Sequence, residues 1–182
     1  MLFRSLFANR PEFDDAQWKK LVDGLHQLGR IANENGMRLC YHPHMGTGVM
    51  VESDVDKLMA ATDPGLVHLL LDTGHLKFAG ADPLAVATRY KERIAHVHLK
   101  DLRPGMAELA ERDGLSFKDA IEAGIFTVPG DGIIDFKPIF AVLAEAGIEG
   151  WLMVEAEQDP AKAHPLTYAM KGRAYLRDVL GF

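Results

Sequence analysis

Ionisable side chains follow four short apolar stretches of this 182-residue chain, each at the point where the apolar stretch ends. Imidazole and carboxylate groups together form an ordinary ligand set for Mn²⁺, Co²⁺, Fe²⁺ or Zn²⁺, and the single cysteine, Cys40, excludes thiolate chemistry. The pattern therefore predicts a metal site built from strand ends. In chain order the pairs are His42 and His44, Asp72 and His75, His98 and Asp101, and Glu155 and Glu157.

Residues 66–75 (LVHLLLDTGH) show this pattern most clearly, because an apolar run stops abruptly at a carboxylate, a glycine and an imidazole. An apolar run of this length between chain breakers predicts a buried strand, most naturally in a parallel sheet. Taken alone, Asp72 is more often a helix cap than a metal ligand. The repetition at four strand ends, rather than any single residue, favours the metal site.

The elements that must position these side chains are strands alternating with helices, a pattern typical of βαβ units with right-handed crossovers. Ionisable residues at every strand end favour the rim of an α/β barrel, because an open doubly wound sheet gathers them at one switch point. Strands are predicted near 38–41, 66–71, 94–99 and 151–154. Helices are predicted over 11–35, 52–61, 83–91, 106–112, 116–123, 136–146 and 161–179.

Four β/α units make only half of an eight-stranded barrel, whose usual size is roughly 250 residues. We therefore expect residues 1–182 to form one partial domain, the C-terminal half of a (β/α)₈ TIM barrel without its first strands. Residues 1–10 have the pattern of neither a strand nor a helix. Because a half-barrel leaves two open sheet edges, we expect a fragment, a truncated gene product or an obligate homo-oligomer.

Composition narrows the class of partner. A formal net charge of −6 argues against a nucleic-acid partner, since nucleic-acid-binding domains are usually basic. No apolar run approaches the ~20 residues of a membrane span, and the N-terminus lacks the apolar core of a signal peptide. A single cysteine fits a reducing compartment. We expect a cytoplasmic protein that acts on a small molecule.

Alternation along the strands predicts which strand-end groups meet. If the ligand face points into the barrel, the side chains that converge at one end are those of His42, Asp72, His98 and Glu155. Each has a structural alternative, and several neighbours are expected to be structural only. His68 and His96 are expected inside the core, His26 and His164 on the surface or on helices, and Glu157 and Asp159 as caps of the last helix.

Other catalytic patterns are missing from the sequence. It contains no Gly-x-Ser-x-Gly, no P-loop and no dinucleotide-binding fingerprint, so covalent and phosphate-cradling chemistry is disfavoured. The glycine-rich segment 126–132 (FTVPGDG) is a loop suited to fold over a site. Lys77 and Lys100 lie near the predicted rim, either as solvated charges or as groups that orient an oxyanion or transfer protons.

Three motifs, residues 71–75 (LDTGH), 96–101 (HVHLKD) and 154–155 (VE), resemble the xylose isomerase-like barrel superfamily. Within it, residues 41–49 (YHPHMGTGV), 127–132 (TVPGDG) and 154–160 (VEAEQDP) are similar to the inosose dehydratase family, and the resemblance runs from about Pro11 to the end. It implies metal ligation by Asp72, His98 and Glu155, with Co²⁺ or Mn²⁺ as the metal. The superfamily usually has a glutamate where His42 stands, so the fourth ligand is His42, His44 or water.

The same resemblance implies a hydro-lyase of inositol catabolism that removes water from 2-keto-myo-inositol (scyllo-inosose) to give a trihydroxycyclohexane-dione. A proton beside a ketone becomes acidic when a metal on the carbonyl oxygen stabilises the enolate, and a carboxylate or imidazole can take that proton. We expect Glu155 to bind metal and to double as the base. The leaving hydroxyl is then protonated by His75, His44 or Lys100.

Three rival functions remain open at this point. A sugar isomerase or epimerase of the same superfamily would use the same enolate and would want two carboxylates on opposite faces of the substrate, and His42 in place of glutamate counts against it. A phosphodiesterase for abasic DNA would need a larger ligand cluster and a basic rim, which the net charge of −6 disfavours. The third is an inactive truncated barrel.

Overall fold

A computed structural model of the chain describes residues 5–181, so residues 1–4 of the segment 1–10 lie outside the described residues. A four-stranded, all-parallel sheet forms the centre, with the strand order β1-β2-β3-β6. This confirms the prediction of an α/β fold with four parallel strands, each followed by a helix. The sheet consists of β1 (Leu39–Tyr41), β2 (Val67–Asp72), β3 (Ile94–Leu99) and β6 (Leu152–Val154).

The described residues form eight helices, most of which pack against one face of this sheet. They are α1 (Asp15–Glu34), α2 (Glu52–Ala61), α3 (Thr73–Phe78), α4 (Pro83–Tyr90), α5 (Met106–Arg112), α6 (Phe117–Ala123), α7 (Phe136–Glu145) and α8 (Pro165–Leu180). The predicted first helix begins later than expected, at Asp15, because Asp14 and Gln17 form a capping box there. The last helix also begins later, at Pro165 rather than near Ala161.

The main core lies between the sheet and its helices. Alternate residues of β2 and β3, such as Leu69, Leu71, Val97 and Leu99, point into it and are almost fully buried. The opposite face of the sheet, which carries Asp72 and His98, is the face on which the ionisable residues gather. One sheet therefore separates an apolar side that stabilises the fold from a polar side that carries chemistry.

A register shift between β2 and β3 sets the phase of the polar side. Leu69 pairs with Ile94 but Leu70 pairs with His96, so Ala95 is skipped and Asp72 comes to lie opposite His98. The burial of β3 follows this shift, because Ile94 is buried and the next buried residue is Val97, three positions later. An extra residue in one strand of a pair reverses the side on which later side chains emerge.

Three short elements were not predicted. Helix α3 begins directly after β2, because Asp72 caps it by accepting a hydrogen bond from the His75 backbone N–H at 2.8 Å. Strands β4 (Asp101–Leu102) and β5 (Phe126–Thr127) form a two-residue antiparallel ladder, which is too short to produce a visible alternation. This ladder brings the glycine-rich loop against the end of β3.

Asp101 was grouped with the strand-end ligands, and that grouping is wrong. Its carboxylate is fully buried and accepts four backbone N–H groups instead. The donors are Leu102 at 2.8 Å, Ile134 at 3.0 Å, and Gly130 and Gly132 at 3.1 Å each. Gly132 is required there, because a Cβ would lie 2.3 Å from the Asp101 carboxylate. Asp101 thus fixes the glycine-rich loop.

A second, smaller core lies under β4, β5, α5 and α6. Leu6 belongs to it: it is 2% exposed, and its backbone N–H donates to the Leu115 carbonyl at 3.1 Å. Ser5 also forms an isolated bridge with Ser116. The described part of segment 1–10 is therefore held by packing and hydrogen bonds, although it forms no helix or strand.

The two outer strands of the sheet, β1 and β6, each have one unpaired edge among the described residues. The β6 edge is apolar, with Trp151 84% exposed and Met153 46% exposed. Over residues 5–181 no helix has the length and apolar character needed to cross a membrane.

Candidate metal centre

The four residues predicted to converge do so at the carboxyl ends of the four parallel strands. Asp72 ends β2 and pairs in register with His98 of β3, while His42 follows β1 and Glu155 follows β6. Asp72 Oδ2 lies 3.4 Å from His42 Nε2 and 3.4 Å from His98 Nδ1. His98 Nδ1 lies 3.2 Å from Glu155 Oε2. Three of these residues, Asp72, His98 and Glu155, present donor atoms within 4.8 Å of one another.

These residues fit a divalent cation because their buried donor atoms converge and, apart from ion-pair contacts with one another and with Lys100, have no polar partner among the described residues. Within residues 5–181, five buried side-chain nitrogen or oxygen atoms lack a hydrogen-bond partner. Buried polar atoms normally find a partner, so such atoms need an explanation, and an absent ion is one. Four of the five are the convergent atoms His42 Nε2, Asp72 Oδ2, His98 Nδ1 and Glu155 Oε2, and the fifth is His75 Nδ1.

Asp72 can combine the two roles that the sequence left as alternatives, because its two carboxylate oxygens have different surroundings. Its Oδ1 caps α3 through the His75 N–H, and its Oδ2 faces the imidazoles. Burial raises the pKa of this carboxyl, but interactions with His42 and His98 outweigh burial and hold the pKa well below its usual range. Asp72 is therefore ionised at neutral pH, as a metal ligand must be.

His98 has its pKa raised to about 9, first by Asp72 and then by Glu155. The contact with His98 in turn lowers the pKa of Glu155 to about 2. In the metal-free protein His98 is thus an imidazolium held between two carboxylates. A cation that binds there must displace the His98 proton.

That displacement predicts a pH dependence. Because the folded-state pKa of His98 is raised, its stabilisation of the metal-free fold is complete below about pH 6.5 and is lost as the pH rises through about 9. Metal binding is opposed over the same window, so the apparent affinity for a divalent ion should rise with pH by up to about tenfold per unit, up to about pH 9. Calorimetric titration with Mn²⁺ in two buffers of different ionisation enthalpy counts the proton released.

The matched control is His96→Gln. His96 lies on the same face of β3 as His98, but the ion pairs among the described residues join only His98 to Asp72 in this strand. The variant should release the same proton as the unsubstituted chain. An affinity that is flat between pH 6.5 and 9 would show that His98 is not a ligand.

Lys100 lies beside the four convergent residues and is fully buried. Its ammonium is 2.6 Å from Glu157 Oε2, 2.8 Å from Glu155 Oε2 and 3.4 Å from Asp72 Oδ2. Burial lowers the pKa of this lysine, but the charges of Asp72 and Glu157 outweigh burial and raise it above its ordinary value. Lys100 is therefore a permanent cation, and the alternative of a solvated charge is wrong.

Glu157, which the sequence offered either as a strand-end residue of the site or as a cap of the last helix, belongs to the cluster, and the alternative of a helix cap is wrong. Its carboxylate contacts the Lys100 ammonium and lies 3.3 Å from His75 Nε2. The backbone of Glu157 has φ +40°, in the left-handed region that residues with a side chain rarely adopt. The two-residue spacing from Glu155, which puts both side chains on one face of an extended chain, was the available signal.

His44 and His75 form the side of the cluster farthest from His98. His75 is almost fully buried, burial lowers its pKa to about 4, and its Nε2 lies 3.0 Å from Lys100 Nζ, so it is a neutral acceptor. His44 Nδ1 lies 2.9 Å from the Met45 carbonyl, which requires a proton on Nδ1 and leaves the Nε2 lone pair free. Burial lowers the pKa of His44 as well. Both rings are neutral bases at neutral pH.

The remaining sequence-predicted residues lie apart from this cluster. His26 accepts a hydrogen bond from the Asp63 N–H at 3.0 Å, and His164 is exposed at the start of α8. His68 and His96, expected in the interior, are only partly buried because each lies on the open face of the sheet. Asp159 accepts from the Ala161 N–H at 2.9 Å and caps the turn before α8.

Comparison with known proteins gives three results. Residues 3–179 match the family model of the xylose isomerase-like TIM barrel. An inosose dehydratase of Clostridium tetani is 53% identical over 173 residues, which are 95% of this chain and 58% of the relative. The chain thus spans under three fifths of the length of the curated relatives it matches.

Solved structures with a similar fold are much more distant in sequence. The probable 3-DHS dehydratase AsbF from Bacillus anthracis aligns with a TM-score of 0.69 at 16% identity, over 90% of this chain and 58% of that one. The IolI protein, crystallised with a zinc atom, aligns with a TM-score of 0.64 at 20% identity, over 90% and 58% of the two chains. At these identities the likeness concerns the fold alone.

Proposed function

This chain belongs to the xylose isomerase-like TIM barrel family, and from that membership we propose that it is the C-terminal, partial-barrel part of a metal-dependent dehydratase acting on 2-keto-myo-inositol. The observation that carries the proposal is the convergence at the strand ends of four buried donor atoms that have no hydrogen-bond partner. The name of the 53% identical relative supports the substrate, a polyol ketone. The reaction removes a proton from the carbon beside the ketone and a hydroxyl from the next carbon, and the two leave together as water.

We propose that Asp72, His98, Glu155 and His42 hold one divalent ion, with Co²⁺, Mn²⁺ or Zn²⁺ compatible with these nitrogen and oxygen ligands. The zinc atom in the related fold of IolI agrees with this range. When bound, such an ion polarises a ketone and stabilises the negative charge that develops on its oxygen when a neighbouring proton leaves.

The bases in this site are not equivalent. Glu155, our first expectation for the base, has a pKa lowered to about 2 by His98 and is therefore a poor proton acceptor. His44 is neutral, is oriented by the Met45 carbonyl and keeps a free Nε2 lone pair. We assign the removal of the proton to His44, and the resulting imidazolium supplies the proton that the leaving hydroxyl needs. Lys100 keeps its proton and stabilises negative charge.

The test combines metal analysis with product mass. The chain is expressed in metal-supplemented medium, its bound metal is measured, and it is then incubated with 2-keto-myo-inositol and analysed by mass spectrometry. A product lighter by one water supports the dehydratase. An isomerase or epimerase would leave the mass unchanged while exchanging a substrate proton with deuterated solvent, and a chain that binds no metal would contradict the proposed site.

The proposal predicts a specific effect of His44→Gln. Glutamine is similar in size and polar but cannot accept a proton near neutral pH, so the dehydration rate should fall by about 10²–10⁴-fold, the usual contribution of a positioned base. Bound metal should stay unchanged, because His44 is not among the four proposed ligands. His164→Gln, at the exposed start of α8, is the control and should change neither quantity.

A further inference from the structure

The buried ammonium of Lys100 lies beside three groups of residues whose donor atoms are within 4.8 Å of one another. Two of the groups share no residue: Asp72, His98 and Glu155 form the first set, and His44, His75 and Glu157 form the second. The third group, His42, Asp72 and His75, takes residues from both sides of the lysine. Lys100 Nζ lies 2.8 Å from Glu155 in the first set, and 2.6 Å from Glu157 and 3.0 Å from His75 Nε2 in the second. These are hydrogen-bond distances, so the ammonium connects the two sets.

We propose that Lys100 takes the place of a second metal ion, so that His44, His75 and Glu157 form a metal site that the lysine keeps closed. This inference rests on the proposed function, which assigns the first ion to the first set together with His42. It goes beyond that function because it gives Lys100 a role in the number of ions that the centre accepts.

Charge balance supports this assignment. Three carboxylates, those of Asp72, Glu155 and Glu157, meet around the buried ammonium, and the Asp72 side chain is buried as well. Together with the Lys100 ammonium and one divalent ion their charges sum to zero. Without the lysine a negative charge would remain, and an uncompensated buried charge is strongly destabilising. A second divalent ion close to the ammonium would in turn be repelled at short range, so the lysine and a second ion exclude each other.

The path of the lysine side chain is built into the fold. A Cβ on Gly74 would lie 2.5 Å from Lys100 Cγ, so only glycine at this position allows the side chain to pass. The ring of Phe126 lies 5.0 Å from the ammonium and covers it from another side. The Lys100 backbone is fixed as well, since its N–H donates to Thr73 Oγ1 at 3.1 Å.

The second donor set is prepared to bind an ion once the lysine is gone. The Met45 carbonyl fixes the Nδ1 proton of His44 and thereby aims a lone pair on Nε2. Glu157 is held in its rare backbone conformation with its carboxylate beside His75. Two imidazoles and a carboxylate suit the same transition metals as the first set.

The test is the ion count of Lys100→Met, an unbranched apolar substitution of similar length. Each protein is equilibrated with Mn²⁺, freed of excess ion, and measured by elemental analysis and electron paramagnetic resonance. We expect one ion with an uncoupled spectrum in the unsubstituted chain and two spin-coupled ions in Lys100→Met. Lys77→Met, at the partly buried lysine of α3, should hold one. The double variant Lys100→Met, His75→Phe should return to one.

Several outcomes would overturn the inference. One ion in Lys100→Met, or two coupled ions in the unsubstituted chain, would do so. If Lys100→Met fails to fold by circular dichroism, Glu157→Gln decides: it should keep one ion, because Glu157 belongs to the second set, and loss of that ion would contradict the division into two sets. An unsubstituted chain that binds no ion would instead refute the proposed function, so the two failures are distinguishable.

Discussion

Replacing Asp72 with asparagine is expected to abolish divalent-ion binding and to lower dehydration by at least about 10³-fold, since a bound ion contributes several kcal/mol of charge stabilisation. The substitution is selective because Asp72 uses its two oxygens differently. An asparagine oxygen can still accept the His75 N–H and cap α3, whereas its amide nitrogen is a donor where His42 and His98 require a negative acceptor. Asp72→Asn should therefore remove the metal site while leaving the cap of α3 in place.

The measurement is bound metal together with the rate of water loss. The matched control is Asp82→Asn, because Asp82 caps α4 by accepting the Leu84 N–H at 3.0 Å and lies outside the site. It should keep both metal and turnover. If Asp72→Asn also kept both, the assignment of the metal centre would be wrong.

The second large effect concerns stability. Asp101→Asn is expected to lower the free energy of unfolding by about 2–4 kcal/mol, because an unsatisfied buried donor costs about 1–3 kcal/mol. One carboxylate oxygen accepts the N–H groups of Leu102 and Ile134, and the other accepts those of Gly130 and Gly132. In asparagine one oxygen becomes an NH₂ group that faces two donors and can accept from neither.

Urea unfolding of the metal-free protein measures this loss. Asp113→Asn changes a carboxylate on the protein surface and should leave the urea midpoint unchanged. Asp101→Asn should still bind a divalent ion under conditions where it is folded, since its carboxylate lies in no candidate donor set. An unchanged urea midpoint would show that the loop does not depend on Asp101.

The fold and the convergence of the four strand-end residues could be predicted from the sequence, because the signals for both are local. Apolar runs that stop at ionisable residues located all four parallel strands, and alternation selected Asp72 and His98 as neighbours. The same rule included Asp101 wrongly, since sequence does not reveal that backbone N–H groups of a loop some thirty residues later would claim that carboxylate. Glu157 could be named as a strand-end residue but its partners could not be predicted, because Lys100 and His75 are more than fifty residues away in the chain.

The sequence pattern could not predict the burial of Lys100 either. A lysine next to a strand end is usually solvated, and only the packing of Gly74, Thr73 and Phe126 makes this one buried. The burial of its charge depends on carboxylates that come from β2 and from the segment after β6, more than eighty residues apart. Such a contact is a property of the folded chain.

The skipped residue in β3 has a consequence for how this protein can change over evolutionary time. Because Ala95 is unpaired, its identity matters little to the site, and many substitutions there should be neutral. Deleting it would join Ile94 to His96 and make the pairing regular, with Leu70 still opposite His96 and Asp72 still opposite His98. The strand should therefore tolerate both replacement and loss of this residue. A residue added between His96 and His98 is different, because it would turn His98 towards the helices.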